Sequence, residues 1–246
     1  NPKLGHQGEA NWLPEPAKDV KKVAIIGAGP AGLESAWTAA ARGHHVKLYS
    51  SSNQVGGALR LEASLPGRGD MARIFDYQLQ QAKRYGVALH LDQCIEAADL
   101  AAFSVDTIIL ATGADLRQPE GLMLVDGVLL SGRNYLKGFG KVEISHYKKA
   151  VLIDQDQTAA TYGLADQLAA DFDELVIVTT RPHFAQSVNY CSSIGVYRRL
   201  YSAGVTLIPS VKPVCVASGI VTLENVYGGP SLTINNVDAV VYVTPR

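Results

Sequence analysis

The chain has 246 residues, 47% hydrophobic and 18% charged, the composition of a globular protein with a thin charge coat. A net charge of -1 leaves no basic footprint, so neither nucleic acid nor an anionic membrane is an expected partner. No long apolar, charge-free run reads as a transmembrane helix. Cys94, Cys191 and Cys215 are odd in number and too far apart for a disulfide framework or a metal site, so a reducing, cytoplasmic setting is expected.

In chain order, residues 1–20 carry Pro2, Pro14 and Pro16 without apolar periodicity and read as an irregular lead-in. The chain opens at Asn1 with neither an initiator Met nor a signal-peptide pattern, and is expected to be a fragment. Residues 23–26 form a short apolar run ending in glycines, which predicts a strand buried on both faces. Residues 30–42 predict a helix stopped by Gly43, and 45–49 alternate as a strand, which makes 22–50 a β-α-β unit. A helix over 70–85 ended by Gly86, then strands over 88–91 and 107–110, come next. Residues 115–148 carry no readable pattern.

A second round follows. Strands are predicted at 150–153, 175–179 and 206–208, and helices at 158–170 and 192–203. Beyond Pro209 the texture changes to hairpins at 214–217, 220–223 and 232–234, and 238–243 is a last apolar strand. Alternating strands and helices predict an α/β fold with mostly parallel sheets. Two such rounds, with a break near residue 145, predict two stacked, nucleotide-binding-like Rossmann lobes.

The sharpest motif is Gly27-Ala28-Gly29-Pro30-Ala31-Gly32, set between a strand and a helix. Gly27 would permit a tight turn, Gly29 close approach of a diphosphate, and Gly32 close packing of the helix on the strands. The helix start offers unpaired N–H groups and the positive end of its dipole. A purely structural turn is the alternative. About twenty residues on, an acid is expected to hold a ribose hydroxyl. Here Ser50 stands in that slot, followed by Ser51, so the hydrogen bond would be neutral and weaker.

These residues carry a resemblance. Residues 22–34, then Gly43-His44-His45-Val46, Val55-Gly56-Gly57, Leu65-Pro66-Gly67 and Ala111-Thr112-Gly113-Ala114, resemble the C-terminal region of the trimethylamine dehydrogenase and 2,4-dienoyl-CoA reductase family of NADH:flavin oxidoreductases. Asn1-Pro2 resembles the stretch just after that family's last cluster cysteine. The resemblance implies an oxidoreductase whose FMN barrel and [4Fe–4S] region lie elsewhere in a longer, homo-oligomeric polypeptide. It also implies that the two lobes are Rossmann-like FAD/NAD(P)-binding lobes of three-layer ββα type, the first over 21–145 with 239–246 returning to it and the second over 146–238. It implies that this region holds ADP or FAD and contains no catalytic residue.

Among further positions, Gly56 and Gly57 are equally compatible with diphosphate contact and a plain turn. Ile95 matches a position that packs on adenine, with a core side chain as the alternative, and Thr112 and Gly113 complete the expected cofactor-binding set. His44 and His45 read as solvated residues of a helix-to-strand turn, and His90 and His146 have no partner by spacing.

The family's reductases would carry a second glycine loop near 154, for NADPH. This chain has Asp154-Gln155-Asp156-Gln157-Thr158 instead, whose carboxylates would repel a phosphate. A degenerate second loop is similar to the amine dehydrogenase branch, which implies an N-methylated amine or betaine as substrate and an electron-transfer flavoprotein as partner. An FAD- and NAD(P)H-using ene reductase, or a structural module with a vestigial site, are the alternatives.

Overall fold

The computed structural model describes Gly5, residues 14–138 and 148–245. The Asn1-Pro2 opening, most of the lead-in, His146 and the expected lobe boundary at 145–146 lie outside the described residues. The chain divides into two compact units: unit one is Asn1–Arg60 with Asp70–Gly113, and unit two is Leu61–Gly69 with Ala114–Arg246.

Unit one contains strands β1 (Lys22–Ile26) and β2 (His45–Tyr49), joined by helix α1 (Pro30–Ala41). Helix α2 (Gly57–Ala63) starts in unit one and ends in unit two. Helix α3 (Ala72–Arg84), β3 (Ala88–His90), α4 (Ala97–Leu100) and β4 (Thr107–Leu110) complete unit one. The four strands are parallel, in the order β3-β2-β1-β4. β1 has a neighbour on each side, and its apolar run Val23–Ile26 is buried throughout, as a central parallel strand requires. Leu33, Ala36 and Trp37 form the buried stripe of α1. Gly43, at φ +96, ends that helix in a conformation costly for any other residue.

Unit two contains β5 (Met123–Leu124), β6 (Val128–Ser131), α5 (Gly132–Leu136), β7 (Lys149–Asp154), α6 (Ala159–Asp171), β8 (Glu174–Val178) and α7 (Tyr190–Ser202). It continues through β9 (Thr206–Ile208), β10 (Val211–Ala217), β11 (Ile220–Asn225), β12 (Leu232–Ile234) and β13 (Ala239–Val243). A parallel sheet runs β6-β13-β7-β8-β9, and a second sheet runs β12-β11-β10-β5. Leu152, Ile177 and Val241 meet Leu164 and Leu168 of α6 and Val196 and Leu200 of α7 in one core cluster. Val151, Ile153, Val176, Val178 and Val240 meet Val216, Val221 and Leu223 of the second sheet in the other. Alternate residues of the same strands thus feed opposite faces, which is the pleat of a sheet covered on both sides. The resulting three layers are a Rossmann-like α/β arrangement.

One expectation is corrected. Residues 239–245 do not return to the first lobe. β13 lies between β6 and β7, pairing Val240 with both Leu129 and Val151. A run buried at four of its five positions suits that central slot. The pattern-poor stretch after residue 114 likewise belongs to unit two, where Val128–Ser131 is the sheet's edge strand.

Among the described residues no helix is long and apolar enough to cross a membrane, and no cluster of His, Cys, Asp or Glu could hold a metal ion. The three cysteines are free.

Candidate functional site

In unit one the strand order changes direction at β1, so the crevice at its carboxyl end is the topological switch point where open α/β sheets take ligands. Three chain segments converge there. Gly27 N donates to Tyr49 O at 2.8 Å, and Ala111 N donates to Ile26 O at 2.8 Å, which ties the loops after β1, β2 and β4 together.

The glycines of the loop do different work. Gly27 has φ +112, and a Cβ on it would collide with the carbonyl of Ala111. A Cβ on Gly32 would collide with the carbonyl of Gly27. The fold itself needs both. Gly29 has φ -74 and ψ 179, extended backbone open to any residue, and nothing lies within 4 Å of the place a Cβ would take. The protein makes no use of that bareness, which leaves room for a group from outside. Immediately beyond, Pro30 opens α1, and no side chain caps the helix. Its first N–H groups and dipole end are thus free of any side-chain cap, the condition in which a helix start takes an anion.

Gly56 and Gly57 are built into the same wall. Gly56 N donates to Ala28 O at 2.8 Å, and a Cβ on Gly57 would stand 3.1 Å from Gly29 Cα. Gly56 has φ +105, and Phe75 sits 3.0 Å from the site of its missing Cβ.

Ser50 is 8% exposed. Its Oγ accepts from Ser52 N at 3.2 Å, and its N–H donates to His90 O at 3.0 Å. Among the described residues nothing accepts its hydroxyl proton, so it has one neutral donor to offer. Ser51 is exposed beside it, as are Thr112 and Gly113 after β4. Ile95 is half-buried and lines an open recess of about 430 Å³ with Tyr49, Gln93, Asp99 and Phe103. The Tyr49 ring stacks on His90 at 4.7 Å and tilts against Phe103 at 5.1 Å. An aromatic and aliphatic recess thus adjoins the strand end that carries Ser50, a setting that suits a flat heterocycle.

Unit two repeats the strand-loop-helix plan at the end of β7, where its sheet changes direction. Its interior is differently furnished. Asp154 does not face outward as expected; it is fully buried, accepting from Gln157 N at 2.8 Å and Tyr162 Oη at 2.6 Å. Burial pushes its carboxyl up to about 6, with the neighbouring Asp156 charge adding to the rise and the two hydrogen bonds opposing it. The same burial and the Asp154 charge drive the Tyr162 hydroxyl far above its ordinary value. Gln157, which the pattern of residues does not single out, is 2% exposed at φ +57. Its Nε2 donates to Thr179 Oγ1 and to His183 O, both at 3.0 Å, and its Oε1 accepts from Gln186 N at 3.1 Å.

Comparison with known proteins places this geometry. The family described as pyridine nucleotide-disulphide oxidoreductase matches residues 21–188. A probable N-methylproline demethylase of Rhizobium meliloti is 31% identical over 76% of the chain, which spans 27% of that relative. An NADH oxidase of Thermoanaerobacter brockii is 37% identical over 49% of the chain, or 18% of its own length. In a solved 6-hydroxypseudooxynicotine amine oxidase of Pseudomonas geniculata N1, 38% of the chain superposes on all of this one, with 26% identity and a TM-score of 0.84. The relatives are oxidoreductases, and the chain spans under a third of the two curated ones.

Proposed function

The chain belongs to the pyridine nucleotide-disulphide oxidoreductase family, and on that footing we propose that unit one seats the ADP portion of an adenine nucleotide, either ADP itself or FAD. The observation that carries this is Gly29. Its missing side chain has no steric reason inside the protein, whereas those of Gly27 and Gly32 do. A diphosphate would lie over Gly29 and accept from the uncapped start of α1, with Gly56 and Gly57 as the facing wall. Ser50 would donate one neutral bond to a ribose hydroxyl, and adenine would enter the recess lined by Ile95 and Tyr49. FAD, when bound, would supply a redox-active flavin; ADP supplies none.

The wider reading is a nucleotide-binding region of a longer oxidoreductase that oxidises an N-methylated amine or betaine and passes electrons onward. The demethylase and amine oxidase relatives support it. FMN and the [4Fe–4S] cluster would belong to the remainder of that enzyme. An ene-reductase reading has the NADH oxidase relative in its favour, and the filled loop of unit two against it.

Denaturing the purified protein and identifying what it releases tests the site. ADP in a colourless supernatant, or FAD in a yellow one, is the expected result. A protein that releases no nucleotide and shows no thermal shift with ADP or FAD overturns the proposal, since a ligand of the native state must stabilise it.

A further inference from the structure

Helices α6 and α7 cover one face of unit two's parallel sheet and turn Leu164, Leu168, Val196 and Leu200 into its core. Together with the segment around Arg68, the two helices also wall an open groove of about 720 Å³ that belongs to unit two alone. The α6 side is Ala159, Gly163 and Asp166, and the α7 side is Ser192, Val196 and Arg199, in each case one stripe of a helix at i, i+4 and i+7. A Cβ on Gly163 would stand 2.9 Å from Arg68 Cδ, so the Arg68 stem lies against α6 only because that position is bare.

Two guanidiniums reach this groove, and neither is fully satisfied. Arg68 donates from Nη2 to Glu62, and its buried Nε has no acceptor among the described residues. Arg199 donates from Nε to Asp166 at 2.9 Å, which leaves both its Nη groups without an acceptor among the described residues. Asp166 is part of the wall and Glu62 is not, so the wall carries two positive charges against one negative. Pro66, Ala169 and Val188 add apolar surface.

We propose that this groove is a second ligand site, for a small organic monocarboxylate with an apolar body. The carboxylate would accept from the spare Nη groups of Arg199, with the Arg68 charge also on the wall; a guanidinium fork suits two carboxylate oxygens. The apolar body would lie along Val188 and Val196. A dianion would exceed the wall's single net positive charge and meet Asp166, and an uncharged molecule would leave the donors unused. A groove of this volume is in the range that small molecules occupy. It shares no residue with the nucleotide site of unit one and needs nothing of what that site binds.

The test titrates the 246-residue chain calorimetrically with octanoate, 1-octanol and acetate, which separate the whole ligand from its apolar and its charged part. Octanoate is expected to bind at least about tenfold more tightly than either of the others. Two single replacements are each expected to weaken octanoate about tenfold: Arg199→Gln, and Ser202→Trp, which sets a ring in the groove from an exposed position on its wall. Octanoate binding that survives either replacement in a folded protein overturns the proposal. So does the absence of octanoate binding, or equal binding of octanol or acetate. Thermal melts establish folding, and should Arg199→Gln fail to fold, Ser202→Trp carries the comparison.

Discussion

The carbonyl oxygen of Gly27 occupies the space that a Cβ on Gly32 would need. Turn and helix are thereby locked at a distance only glycine permits. Gly29, between them, meets nothing at its Cβ site, and in the proposed nucleotide site it is the glycine that faces the ligand.

Gly32→Ala and Gly27→Ala should each destabilise unit one by about 3 kcal/mol, as overpacking against rigid backbone does. Gly29→Ala should leave the thermal midpoint within about a degree of the wild type, because its backbone is extended and its Cβ site is open. Yet it should weaken ADP at least tenfold. Thermal melts with and without ADP check both halves; loss of stability without loss of binding in Gly29→Ala would reverse the assignment.

Ser50→Asp restores a charged acceptor at the end of β2. It should tighten ADP by about tenfold, the difference of roughly 1.4 kcal/mol between a neutral and a charge-assisted hydrogen bond. Isothermal titration of both proteins measures it, and weaker binding in the variant would move the ribose away from β2.

Asp154 gives unit two a pH dependence of unusual sign. Its carboxyl is raised by burial to about 6 in the folded chain, against an ordinary 3.8. Below the lower value both states are protonated. Between the two values the unfolded chain ionises while the folded one holds its proton, so this group's contribution falls as pH rises and is constant again above about 6. Asp154→Asn, which can still accept from Gln157 N, should remove that fall and become relatively more stable at pH 8 than at pH 4, by about 2 kcal/mol. Urea midpoints of the two proteins across this range test it, and parallel profiles would refute it.

Tyr162→Phe strips two buried bonds at once, one to Asp154 and one from Ala185 N at 2.6 Å. It should cost about 3 kcal/mol, because a buried acceptor and a buried N–H are left unpaired. It should also move the Asp154 titration further upward, since the lost hydrogen bond is one that lowers it. Carboxyl titration followed by NMR would show that direction.

Much of this was legible from the residues in order. β1, β7 and β8 are apolar runs flanked by glycine or acid, and a central parallel strand has no other simple composition. The first glycine loop could be found because its spacing is local. An apolar strand reads alike whichever sheet receives it, so the expected place of β13 is the first lobe, and only its pairing with β6 and β7 decides. β5 is two residues long and exposed, and β6 is a half-buried edge of four, too little for any period to show. Gln157 left no trace because its partners lie 22 to 29 residues away, and a polar side chain that fills a crevice has no pattern along the chain. Asp154 was expected to repel a ligand, but whether a carboxylate points at solvent or into a core is settled by what lies across from it, here Tyr162.

Leu65 is 4% exposed in the core of unit two, and its Cβ would lie 3.3 Å from a side chain grown on Gly163. Its chain neighbours up to Arg60 and from Asp70 onward belong to unit one. The polypeptide therefore visits the second unit briefly before the first is finished. Cutting after Gly113 would leave an excursion with nothing to plug into, and starting at Ala114 would leave a hole in the remaining half. No single cut of the chain therefore separates the two units cleanly.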